Sequence, residues 1–153
     1  MRLISIDPGA SGGIAWTDDD IVHCAPMPEG MSEQADFIRS LCLNSSPVCI
    51  IEKTGTYFPG NSGVAAATFA RHCGHLEAIL YMCGASTEQV SPRRWMAGMN
   101  LPKNKKERKK AIREAMARKY PHLPVTLKTA DALAILTYAH KDAEVHALAQ
   151  KLL

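Results

Sequence analysis

The chain has 153 residues, 46% apolar and 22% charged, a composition that fits one globular domain over residues 1–153 with a sizeable core. No apolar run approaches the ~20 residues of a membrane helix, and the opening MRLISID lacks the longer apolar stretch of a secretory signal, so no membrane association and a cytoplasmic location are expected. Five cysteines, none in a CxxC pair, sit mostly among apolar residues and read as reduced structural thiols. The net charge is only +3, but it is segregated. Eleven Lys or Arg lie between Arg93 and Lys119 against two acids, leaving seven bases and thirteen acids elsewhere. That separation suits a surface that meets a polyanion, and equally an exposed solubilising helix.

Residues 2–7 read as a mostly buried strand, GGIAWT as a second after a tight turn, and IVHCA as a third after DDD. Strands this close pair as hairpins, so the fold opens with an antiparallel meander. MSEQADFIRSLCL has helical spacing, with Phe37, Ile38, Leu41 and Ala35 on one side and Ser32 as the expected cap. PVCIIEK is the most buried-looking strand, and the intervening helix permits a parallel return beside the first strand. After the loop TGTYFPGNSG, residues 64–83 form a helix with Phe69, Leu76 and Leu80 spaced for a packed face. Gly63, Ala66 and Gly74 permit close backbone approach, either within the chain or at a dimer seam.

STEQV supplies a short strand, and Pro92 opens a helical turn carrying Arg93, Arg94 and Trp95. KNKKERKKAIREAMARKY is a basic helix stopped by Pro121, with Ile112, Ala115, Met116 and Tyr120 as its apolar line. TADALAILTYAHK is a final helix capped by Thr129, followed by a further helix or an extension. The order predicts an α/β fold with a mixed sheet.

Asp7 ends the first strand and Glu52 ends VCII. If those strands are parallel neighbours, both carboxylates emerge at one sheet edge, where open α/β sheets place their sites. Asp131 lies in the first turn of the apolar helix. Asp7 is also explained as a turn residue in DPG, and Asp131 as an acid favoured at a helix start. Glu52 at the end of an apolar strand is costly unless solvated, paired or metal-bound. Three acids brought together repel unless a cation lies between them, and Mg²⁺ or Mn²⁺ accepts carboxylate oxygen. Two such ions about 4 Å apart activate water and steady the leaving oxygen of a phosphodiester. The basic stretch supplies phosphate contacts, from Arg93, Arg94, Lys103, Lys109, Lys110, Arg113 and Lys128, and Trp95 or Tyr57 could stack on bases. A phosphate-cradling loop at DPGASGG competes weakly, because neither GxGxxG nor GxxxxGK[ST] is present. RHCGH, with His72, Cys73 and His75, lacks a tetrahedral zinc set.

SIDPGASGGIAW, IIEK and KTADALAILTYA, in this order, resemble the RuvC-type Holliday junction resolvases, and most strongly the small RuvC-like proteins of phages. GVAAATFARHCGHLEAIL, EQVSPRRWM and the basic helix extend the resemblance over residues 2–140. It implies an RNase H-like fold, a five-stranded mixed sheet flanked by helices. It also implies a divalent-metal-dependent endonuclease with two ions per site, working as a homodimer on four-way DNA junctions in a bacterial or host-cell cytoplasm. By motif, Asp7, Glu52 and Asp131 would be the catalytic metal ligands, and Lys105 or Lys106 would neutralise the phosphate. The family commonly has an acid or histidine one turn before the last aspartate, where this chain has Lys128. A relocated acid such as Asp142, a three-carboxylate site, or a phosphate contact by Lys128 would each accommodate the change. A non-catalytic junction-binding protein, and a nuclease for RNA–DNA hybrids or other branched DNA, are the alternative readings.

Overall fold

A computed structural model describes residues 2–53 and 62–151, with side chains through residue 143. The elements are β1 (Leu3–Asp7), β2 (Gly13–Asp18), β3 (Ile21–Pro26), α1 (Met31–Cys42), β4 (Val48–Glu52), α2 (Gly63–Met82), β5 (Ser86–Val90), α3 (Pro92–Trp95), α4 (Lys105–Lys119) and α5 (Ala130–Lys151). The five strands form one sheet in the order β3-β2-β1-β4-β5. β1 pairs antiparallel with β2, and β2 with β3, which is the expected meander. β4 returns parallel to β1, and β5 runs parallel to β4.

Strand alternation divides the interior into two cores. Ile4, Ile6, Ile14, Cys49 and Ile51 face α1 and α2, where Ile38, Leu41, Leu76 and Leu80 meet them. Leu3, Ala15, Ile50 and Val90 face the other way, against Ile112 and Met116 of α4 and the run Ala132–Leu136 of α5. Ser5 lies on this second face, fully buried, and its hydroxyl donates to the Ala132 carbonyl at 2.7 Å. A polar side chain in that position is tolerated because it is bonded, and the bond ties the first strand to the last helix.

α4 begins where Asn104 caps it, its Oδ1 accepting from the Lys106 and Glu107 amides at 2.9 and 3.2 Å. Ile112, Met116 and Tyr120 are its buried line, and the Tyr120 hydroxyl bonds Thr137 Oγ1 at 2.9 Å. Truncating Ile112 to Ala would cost roughly 2–5 kcal/mol and loosen the helix that carries most of the basic residues.

Two local expectations are corrected. Gly30, not Ser32, is the cap residue of α1, and it makes no side-chain bond. The Thr129 hydroxyl turns back to Thr126, accepting its amide at 3.0 Å, rather than capping forward. Of the two alternatives for the C-terminal segment, the extension is the one observed, since α5 runs on as one continuous helix. In α2, Leu76 and Leu80 are buried as expected, with Cys73 beside them, whereas Phe69 is only half-buried. A Cβ added at Gly63 or Gly74 would meet nothing within 4 Å among the described residues, so neither glycine serves a close approach to any of them.

Candidate active site

Side-chain parity brings the acids together. Asp7 shares the face of Leu3 and Ser5, and Glu52 shares that of Val48 and Ile50, so both point to the α4–α5 side where their strands end. Asp131 is the second residue of α5, which lies across β1 and β2. Its approach depends on Gly13, because a Cβ there would stand 2.4 Å from the Lys128 carbonyl and push the start of α5 away. The three carboxylates line one cleft of about 460 Å³, together with Lys105, Arg108, Lys109, Trp95 and Phe69.

Each acid is held differently. Asp7 is buried, 8% exposed, and burial followed by repulsion from Asp131 and Glu52 pushes its carboxyl up to about 8 against the opposing pull of Lys109. Glu52 accepts a 2.8 Å hydrogen bond from the Trp95 indole. Burial raises its pKa and that bond is the main opposing influence. Asp131 is likewise raised by burial, with Lys109 the first group to counter it, its Nζ 3.7 Å from Oδ2.

The basic residues separate sharply. Lys105 lines the cleft, whereas Lys106 is exposed and does not. Arg108 and Lys109 stand on the cleft wall. Arg108 was missed by sequence reasoning, and Lys109 was expected only as a general phosphate contact. A helical wheel anchored on buried Ile112 carries the signal, since 105, 108, 109 and 112 share one face. Lys103, Lys110, Arg113 and Arg93 are exposed, with Lys110 3.9 Å from Glu114. Arg94 is engaged within the chain, 3.6 Å from Glu88 and 3.5 Å from Asp142, and lies 5.5 Å from the Tyr138 ring centroid. Asp142 therefore faces Arg94 and is not among the cleft residues, which removes it as a relocated ligand. Lys128 is exposed on a neighbouring cleft of about 840 Å³, with Gly9, Gln34 and His72, and does not line the acid cleft. Trp95 is 4% exposed and bonded to Glu52, so the stacking role expected for it is corrected: its indole is committed to the carboxylate. Tyr57 lies outside the described residues.

Among the described residues, no three His, Cys, Asp or Glu side chains close on one point as a ready-made cation site. The donor chemistry nevertheless fits a hard divalent ion. Three carboxylates from three elements rim one cleft, and a cation would offset both the burial that chiefly raises Asp7 and the repulsion from Asp131 and Glu52 that adds to it. Among the described residues, His72 and Cys73 belong to no metal-ligating cluster, and no disulfide joins any of the five cysteines. No helix among the described residues is long and apolar enough to cross a membrane.

This sheet order, with helices on both faces, defines the RNase H-like fold. Among solved structures the chain is similar to Thermus thermophilus RuvC, at 15% identity and a TM-score of 0.58, covering 95% of this chain and 97% of that one. It is also similar to T. thermophilus RuvC in complex with a Holliday junction substrate, at 16% identity and a TM-score of 0.57 over 95% and 96% of the two chains. No protein-family model matches the sequence, and no curated protein does. The fold expected from the sequence is thus the fold observed.

Proposed function

We propose that this protein is a divalent-metal-dependent endodeoxyribonuclease that cuts branched DNA, with the four-way junction as its substrate. The observation that carries the reading is the convergence of Asp7, Glu52 and Asp131 with Lys105, Arg108 and Lys109 in one cleft of a RuvC-like fold. Mg²⁺ or Mn²⁺, two per site, would be held by the carboxylates of Asp7, Glu52 and Asp131. Bound ions would supply an activated water and counter-charge for the leaving oxygen.

The chain's own groups do the rest. Trp95 fixes the Glu52 carboxylate through its indole N–H. Lys109 orients Asp131 and offers a positive charge beside the phosphate that develops charge in the transition state. Lys105 and Arg108 bind the strand's phosphates at the cleft mouth. Three carboxylates suffice in this account, and Lys128, set in the neighbouring cleft, contributes a phosphate contact outside the site.

Cutting two opposed strands requires two sites related by a two-fold axis. We assign the partner face to α2. Its Val64, Tyr81 and Met82 are 78%, 82% and 81% exposed, and Gly63 and Gly74 have open space beside them.

The test offers the protein a synthetic four-way junction, a matched duplex and an RNA–DNA hybrid, with and without Mg²⁺ or Mn²⁺, alongside D7N. Paired metal-dependent cuts at the junction, absent in D7N, are expected. Tight junction binding with no cutting would make the protein a binding module, and hybrid-selective cutting would reassign the substrate.

A further inference from the structure

His72, on α2, sits in a hydrogen-bond chain that runs from the Pro28 loop to the turn after β1. The Gln34 amide Nε2 donates to the Pro28 carbonyl at 2.8 Å, leaving Gln34 Oε1 to face His72 Nε2 at 3.2 Å. On the other side of the ring, the Gly9 amide donates to His72 Nδ1 at 3.1 Å. The two ends fix the direction of every bond, because a carbonyl only accepts and an amide N–H only donates. The ring is therefore neutral, bare at Nδ1 and protonated at Nε2. Its burial, and His75 nearby, press its pKa downward in keeping with that state. Gln34, the far anchor, is 5% exposed.

Gly9 follows Asp7 by two residues and has φ +113°, a conformation that L side chains rarely adopt. Its carbonyl accepts from the Gly12 amide at 3.0 Å, closing the turn through which the chain leaves β1 and enters β2. The sheet fixes Asp7 through Ile6 and the antiparallel partner Gly13. Downstream of Asp7, His72 is the side chain among the described residues that accepts a hydrogen bond from an amide of this turn.

We infer that His72 is a positioning residue, whose bare Nδ1 holds the Gly9 amide and thereby sets the direction in which Asp7 presents its carboxylate to a divalent cation. This rests on the nuclease reading above for the cation. Groups hydrogen-bonded to a metal-ligating side chain change metal affinity by about 10–100-fold when removed, and His72, which acts on the backbone beside the ligand, belongs at the lower end of that range.

Two isosteric substitutions separate positioning from plain packing. In H72N the amide oxygen can occupy the place of Nδ1 and keep the Gly9 bond while the link to Gln34 is lost. In H72Q the amide nitrogen can occupy the place of Nε2 and keep the Gln34 bond while Gly9 is released. The experiment is a Mn²⁺ titration of the three proteins followed by electron paramagnetic resonance, with ¹⁵N NMR of the wild-type imidazole. We expect H72N to bind Mn²⁺ within about threefold of wild type and H72Q to bind it about 10-fold or more weakly, with Nδ1 unprotonated in the spectrum. Equal affinity in all three proteins, equal loss in both variants, or a proton on Nδ1 overturns the positioning role alone. A wild type that takes up no Mn²⁺ overturns the nuclease reading and this role together.

Discussion

Lys109 Nζ lies 3.7 Å from Asp131 Oδ2, across the seam between the basic helix and the last helix. The pair joins the two halves of the charge asymmetry at one point, the cleft where the three acids meet. A lysine so placed opposes the raised pKa of all three carboxylates. K109M is therefore expected to lower junction cleavage by about 100-fold, as loss of a transition-state charge contact does, while junction affinity falls only slightly. K106M, on the exposed side of the same helix, should leave the cleavage rate within about twofold and reduce the salt dependence of binding by roughly one phosphate contact. Single-turnover rates and binding at several salt concentrations distinguish them.

The indole of Trp95 is spent on Glu52. W95F removes the hydrogen bond and keeps most of the apolar bulk, so a stability loss of about 1 kcal/mol is expected. The metal concentration needed for half-maximal cleavage should rise, with junction affinity unchanged. A loss of junction affinity instead would show that the ring reaches the DNA.

Asp7 gives the metal-free protein an unusual pH dependence. Its carboxyl titrates near 8 when folded and near 3.8 when unfolded, so between these values the folded state holds the extra proton. The stabilisation is complete below pH 3.8 and is lost as pH rises through 8, each tenfold change in proton affinity being worth about 1.4 kcal/mol. Over pH 5 to 8, without metal, the Tm of wild type should fall by several degrees more than that of D7N. Adding Mn²⁺ should raise the wild-type Tm more at pH 8 than at pH 5. Differential scanning fluorimetry across that grid checks both signs.

Gly74 faces open space on α2. G74E puts a charge on the proposed partner face without crowding the chain's own core, and Gly to a better helix former costs nothing locally. Light scattering should show wild type at twice 16.7 kDa and G74E as a monomer with an unchanged or higher Tm. A wild type already monomeric would remove the α2 seam.

Much of the fold was legible because its strands carry clean signals. LISID and VCIIE are apolar runs ended by acids, and the sheet pairs them in parallel as the crossover rule requires. The same period-two reading places Asp7 and Glu52 on one face. What the sequence reading left unused was the rotation of α4 about its axis, which its apolar line implies. Lys105, Lys106, Lys109 and Lys110 look alike along the chain, but with Ile112 and Met116 packed toward α5, Lys105 and Lys109 line the acid cleft while Lys106 faces water. Trp95 illustrates the complementary failure, since an aromatic beside two arginines reads as a nucleic-acid contact until its N–H is found on Glu52. The cap of α1 was misplaced because Gly30 supplies no side-chain signal at all.

The bond from Ser5 to the Ala132 carbonyl has a consequence for the making of the protein. Asp7 leaves the ribosome more than a hundred residues ahead of the helix that brings Asp131 and shields the sheet. Until α5 docks, one face of the sheet is uncovered and the carboxylate trio is incomplete. On the proposed function, a nascent or prematurely stopped chain would lack a complete site, and the step that seals the hydrophobic core would be the same step that completes the carboxylate trio.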